Sequence, residues 1–211
     1  MRSSKPQIHS LFPTPLCVHF LPVAPEMNVA LRPLILARIK EETSDGQGAY
    51  ARDDFREWGN HHAETLFTVA ADLADNLTAS RSGARVKTEW MIAARAGARI
   101  KGEHQEMIAR PGAFWAGVYF ADDGYAKSED DSLGGECELG DPRGALHTAD
   151  APHLAYRLPG GQNAGSTEII RPQSGMMMLH PGWLPRGERR YDGDGQRLVI
   201  EFELIPVPTA V

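Results

Sequence analysis

Apolar and polar positions along this chain change period as it proceeds. From Pro25 to Glu42, Leu31, Leu34, Ile35 and Ile39 recur at helical spacing. From about Asp53 or Glu57 to Leu77, Leu66, Val69, Ala70, Leu73 and Leu77 mark the buried face of a second helix. After the Ser80-Arg-Ser-Gly83 break the period shortens to two. Val86 to Ala94 alternates as a half-buried strand, and Phe114 to Phe120 is a dense aromatic and β-branched run. Near the C-terminus an apolar run (Met176 to Leu179) leads into a corner built on Pro181, Gly182, Pro185 and Gly187. A polar turn (Tyr191 to Gln196) and a strand with Leu198, Ile200, Phe202 and Leu204 on one face follow. This last stretch reads as a β-hairpin with an elaborate mouth.

The remaining segments lack a period. Ile8 to Leu21 is apolar but interrupted at Pro13 and Pro15, which suits an edge strand or extended arm, and such an edge is available for pairing in a homodimer. Thr43 to Ala51 reads as a loop. Ala121 to Gly165, rich in Asp, Glu, Gly and Pro, is a long insertion whose acidic half, Asp122 to Glu138, suits a lid or a disordered segment equally. Two helices followed by short strands predict an α+β fold with a jelly-roll sheet pair as its core, in one domain spanning 1–211. The Leu198 to Leu204 face is expected to pack against the opposing sheet.

Composition narrows the function classes. The 211 residues are 42% hydrophobic and 24% charged, with no apolar run of membrane-spanning length. Leu11 to Leu16 is broken by prolines, unlike a secretory signal, so a soluble, cytoplasmic protein is expected. A net charge of −6 argues against nucleic acid as a partner. Cys17 and Cys137 lie far apart and read as plain thiols. A Gly-x-Ser-x-Gly elbow and a phosphate-binding glycine loop are both absent. His61 and His62 are neighbours on a helix and point about 100° apart, so they do not readily share an ion.

Pro181-Gly-Trp-Leu-Pro185 and Arg197-Leu-Val-Ile-Glu-Phe202 resemble the C-terminal segment of a group of small 2-oxoglutarate/Fe(II) oxygenases. Leu11-Phe-Pro-Thr-Pro-Leu16, the Trp90 strand, Ala116-Gly-Val-Tyr-Phe120 and Asp141-Pro-Arg143 extend the likeness from roughly Leu11 to Leu204. The resemblance implies N-terminal helices on a double-stranded β-helix, a cupin-like jelly roll. It further implies Fe(II) and 2-oxoglutarate as cofactors, and a small-molecule or protein substrate. Such a site needs three metal ligands on one face. The resemblance places the first two at His104-Gln-Glu106 when counted from Trp90 and Gly97. Counted back from Pro111-Gly112 and Trp115, they fall instead at Ile108 and Arg110. An insertion of about four residues reconciles the two counts, alternate residues of a strand sharing one side. It also implies a cosubstrate carboxylate grip at Arg197 and a pocket shaped by Trp115, Tyr119 and Trp183.

At the distal ligand position, where the family has His, this chain has Arg186, whose guanidinium stays protonated and does not coordinate a cation. The Ser expected two residues after Arg197 is Val199. Two functions remain open. One is an oxygenase with a divergent metal site of His104, Glu106 and a third ligand such as His180, His147 or His153. The other is an inactive relative without cofactor, binding an anion or a protein through Arg186 and Arg197.

Overall fold

The computed structural model describes residues 7, 9, 11–42, 50–51, 54–142, 151, 153–154, 156–157, 163–164 and 167–208. Met1 to Lys5, Ile8, most of the Thr43 to Ala51 loop and His147 lie outside the described residues. In chain order the elements are β1 (Cys17–Phe20), α1 (Ala24–Glu42), α2 (Phe55–Trp58), α3 (Asn60–Leu77), β2 (Trp90–Arg99), β3 (Gln105–Ile108) and β4 (Trp115–Asp122). Then follow β5 (Cys137–Leu139), β6 (Tyr156–Arg157), β7 (Asn163–Ala164), β8 (Glu168–Ile170), β9 (Met176–Pro181), β10 (Arg186–Glu188) and β11 (Arg197–Pro206). Five strands form a larger sheet in the order β1-β9-β4-β11-β2 and four form a smaller one, β3-β10-β5-β8; β6 and β7 pair separately. The pairings are antiparallel. This is the expected α+β arrangement, two sheets face to face with the helices on the outer side of the larger one.

The first helix follows its periodicity. Met27, Leu31, Ile35 and Ile39 of α1 are buried. The second expected helix is divided in two. Asp54 caps α2 by accepting from the Arg56 backbone N–H, and the chain turns at Gly59, where a Cβ would lie 2.7 Å from the Phe55 carbonyl oxygen. Beyond the turn, Ala63, Leu66, Phe67, Ala70 and Ala74 of α3 pack on the sheet.

Two expectations about the C-terminal stretch need correction. Strands β9 and β11 do not form a hairpin, because β4 lies between them and pairs with both. The Pro181 to Pro185 corner carries the chain out of the larger sheet into β10 of the smaller one before β11 returns. In addition, Leu198, Ile200, Phe202 and Leu204 do not face the opposing sheet. They belong to the core shared with α1 and α3, together with Ala94, Ala96, Ala98, Trp115 and Tyr119. The other face of the larger sheet looks into the sandwich. Its apolar part is a smaller cluster of Val118, Phe120, Met176, Met178 and Val199 with Cys137, Leu139 and Leu184.

The acidic half of the insertion carries regular structure. A 3₁₀ turn spans Asp131–Leu133, and β5 lies between β10 and β8 in the smaller sheet. Val86 to Ala94 shifts C-terminally, its strand running from Trp90 to Arg99.

Candidate functional site

Strand alternation decides which side chains enter the sandwich. On β11 the residues opposite the helix-facing set are Arg197, Val199, Glu201 and Glu203; on β2 they are Arg95, Gly97 and Arg99; on β9 they are Met176, Met178 and His180. Arg186 and Glu188 of β10 come from the smaller sheet. A cavity of about 340 Å³ opens between the sheets. Its walls carry Arg95, Arg110, Arg186, His180, Glu201, Glu203, Asp54 and Gln105 beside Ala93, Ala94, Ile108, Ala116, Gly117 and Phe202.

Arg186 is the centre of a buried ion network. Its Nη1 donates to Glu188 Oε1 at 2.9 Å and its Nη2 to Glu201 Oε1 at 2.6 Å, joining β10 to β11 across the sandwich. The other oxygen of Glu201 accepts from Arg95 Nη2 at 2.9 Å and Arg110 Nη2 at 3.1 Å. Arg99 Nε and Arg197 Nη1 approach Glu188 at 3.6 and 4.0 Å. Tyr50 lies against this network. Arg95 and Arg99 stack on its ring at 4.2 and 4.7 Å, and Arg99 Nη2 donates to its hydroxyl at 2.6 Å. Gly97, between those two arginines, makes the approach possible, since a Cβ there would meet the Tyr50 ring at 2.6 Å.

The electrostatics follow from burial and pairing. Burial works against the Glu201 charge, but Arg186, Arg95, Arg110 and Arg99 outweigh it and bring the carboxyl down to about 2. Burial also works against Arg186, and Glu201 and Glu188 outweigh it, holding the guanidinium above its ordinary range. His180 is pushed down to about 4, chiefly by burial, with the Pro181 carbonyl opposing and Arg186 and Arg110 adding to the fall. Its Nδ1 is 3.0 Å from Pro181 O. A carbonyl only accepts, so Nδ1 carries the proton and Nε2 is left as an acceptor.

The expected site residues separate. His104 and Glu106 are exposed and lie outside the cavity walls. Ile108 pairs in register with Arg186, and Arg110 reaches Glu201, so the strand brings Ile108 and Arg110 beside Arg186. His104, Glu106 and His180 are not brought together, and no group of three or more His, Cys, Asp or Glu able to hold a metal occurs among the described residues. His180 does face the cavity. His153 is exposed.

Arg197 is fully buried but does not line the cavity. Its guanidinium lies between the rings of Tyr125 and Tyr191 at 5.0 and 4.8 Å and donates to the carbonyls of Asp123 and Gly135. Trp115 and Tyr119 point away from the cavity toward the helices. Trp115 donates to Thr78 Oγ1 at 2.9 Å and Tyr119 to Asn28 Oδ1 at 2.6 Å. Trp183 is 52% exposed at the corner. These three do not shape the cavity, because their strand positions have the wrong parity or lie outside the sandwich.

Tyr50, Arg95, Arg99, Glu188 and Glu201 were not legible as a site. The available signal was the charged set Arg197, Glu201 and Glu203 alternating with the apolar set on one strand.

A divalent cation does not fit this donor set. Both Glu201 oxygens accept from arginines, and the approach of a cation to His180 is opposed by Arg186 and Arg110.

Neither a protein-family model nor a curated protein matches the chain. Solved structures are similar in fold. A prolyl-4-hydroxylase from Pseudomonas putida has a TM-score of 0.59 at 12% identity, covering 92% of this chain and 93% of that one. HygX from Streptomyces hygroscopicus, with nickel and 2-oxoglutarate bound, has a TM-score of 0.59 at 13% identity, covering 92% and 83%. A Trichoplax adhaerens prolyl hydroxylase, in complex with a hypoxia inducible factor oxygen degradation domain peptide fragment, has a TM-score of 0.59 at 10% identity, covering 90% and 83%. The chain has the double-stranded β-helix fold of the 2-oxoglutarate/Fe(II) oxygenases.

Proposed function

We propose that this oxygenase-fold chain works without a metal, as a binding protein for a small carboxylate-bearing ligand that enters the cavity between the sheets. The observation that supports the reading is the Arg186 guanidinium. It is fixed between Glu188 and Glu201 at the strand position where the sequence resemblance puts an iron-binding His. A permanent cation there repels Fe²⁺, and the same charge favours an anionic group. Arg186 itself is buried and paired with two protein carboxylates. Ligand contact therefore falls to Arg95 and Arg110, whose side chains are 46% and 21% exposed and line the same cavity. Arg197, fixed by backbone carbonyls outside the cavity, anchors the Asp123 to Gly135 segment in this reading.

The test is a melting-temperature scan of the intact chain with millimolar monocarboxylates and dicarboxylates, with and without Fe(II) under anaerobic conditions. The expected result is a rise with carboxylate alone that EDTA leaves unchanged and Arg110→Gln abolishes. A rise that requires Fe(II) and 2-oxoglutarate together, and is lost in His180→Ala, would replace this reading with an active oxygenase of unknown substrate. That second reading has one observation in its favour. The neutral His180, with Nδ1 held by a carbonyl and Nε2 free, has the orientation of a metal-binding imidazole.

A further inference from the structure

We infer that the ligand is a small zwitterion, an α-amino acid or a close analogue, held by its carboxylate on Arg95 and Arg110 and by its ammonium on Glu203. The inference rests on the reading of the cavity as a metal-independent carboxylate site and adds the chemical class of the ligand.

The argument starts from charge balance along the walls. Three guanidiniums (Arg95, Arg110, Arg186) face three carboxylates (Asp54, Glu201, Glu203). Arg186 and Glu201 satisfy one another in the interior, at 5% exposure on each side. Arg95 and Arg110, and Glu203 at 36% exposure, remain accessible. Such a wall presents both signs of charge to an entering molecule, Arg95, Glu203 and Asp54 being part-exposed on it beside Arg110. A plain dianion entering it would meet Glu203 and Asp54; a plain amine would meet the arginines. A molecule carrying both signs satisfies both.

The spacing supports the same class. Arg110 Nε lies 3.7 Å from Glu203 Oε1, too far for a hydrogen bond, although Arg110 Nη2 reaches Glu201. Opposite charges stand side by side with no hydrogen bond between them. A carboxylate and an ammonium on one carbon can bridge that pair, the carboxylate taking guanidinium N–H groups and the ammonium donating to the carboxylate. His180 Nε2, an acceptor on the same cavity, adds a second partner for a donor on the ligand. Ala93, Ala116 and Ile108 offer an apolar surface for a side chain. At about 340 Å³ the cavity is at the small end of ligand sites, which suits a free amino acid better than a peptide or nucleotide.

The experiment screens the twenty protein amino acids by melting temperature against the intact chain, then titrates the best of them by calorimetry beside its deamino acid and its decarboxylated amine. The amino acid is expected to bind on the order of tenfold more tightly than the deamino acid, and the amine not measurably. Glu203→Gln should reduce the amino acid to the level of the deamino acid and leave the latter unchanged, while Arg110→Gln removes both. Equal binding of amino and deamino acid, or an equal loss of both in Glu203→Gln, overturns the zwitterion and keeps the carboxylate site. No shift with any amino acid, when simple carboxylates do shift the melting temperature, overturns it as well. Absence of binding by every carboxylate overturns the parent reading with it.

Discussion

Glu201 is the residue on which the interior balance turns, since it accepts from Arg186, Arg95 and Arg110. Replacing Arg186 by Met removes one partner and leaves Glu188 and Glu201 buried together. The expected loss is about 3–5 kcal/mol in denaturant unfolding. Acid should destabilise the protein in two stages. The His180 imidazole is pushed from 6.5 to about 4, so the unfolded chain binds the extra proton in that window; the stability is full above 6.5 and is lost as pH falls to about 4. Glu201 falls from 4.5 to about 2, so its contribution is present above 4.5 and is lost as pH falls toward 2. Denaturant midpoints measured from pH 7 to pH 2.5 should therefore fall throughout. His180→Gln should flatten the upper part of that curve and Glu201→Gln the lower part. A wild-type midpoint unchanged between pH 6.5 and 4 would contradict the buried neutral imidazole. Little of this was legible beforehand. Arg186 stood out because its type was wrong for its position. Glu201 and Arg95 are ordinary charged residues on alternating strands, and nothing local distinguishes an inward from an outward charge.

In β11 the sequence period marks a strand without marking which of its faces carries the site. Its apolar face was correctly seen as buried, but against the helices, where burying each large side chain contributes about 1.5–3 kcal/mol. Its charged face lies inside the sandwich. Period alone identifies two faces and does not say which layer covers each. The same parity took Trp115 and Tyr119 to the helix side. Strand β4 runs beside β11, and at Gly117, paired with Phe202, a Cβ would collide with the Phe202 ring and lie 2.8 Å from the Met178 carbonyl oxygen. Gly117→Val should destabilise the fold by about 1–3 kcal/mol through overpacking, read as a lower thermal midpoint with the helical circular-dichroism signal retained below it. A wild-type midpoint would mean that β4 and β11 are less closely packed than described. Helix α1 matched its periodicity almost to the residue. The break at Gly59 is not legible in the sequence, because the apolar spacing continues through it.

For the molecule as a whole, the α+β jelly roll followed from two helical periods succeeded by strand periods, and the resemblance around Pro181 to Pro185 and Arg197 to Phe202 gave that architecture its specific form. The order of strands was not accessible, because the insertion of β4 between β9 and β11 depends on contacts far apart in sequence. The fold is that of metal-dependent oxygenases, and in this chain the two sheets are joined at the cavity by a guanidinium between two carboxylates. Its stability should therefore be independent of divalent metal, and EDTA should leave the melting temperature unchanged.

The most direct measurement is an anaerobic Co(II) titration of the intact chain followed by visible absorption, with 2-oxoglutarate present and absent. The account predicts no ligand-field band at stoichiometric Co(II) in either case. A saturable band at one equivalent that 2-oxoglutarate perturbs and His180→Ala abolishes would contradict it, and would mean that Arg186 moves aside for a metal.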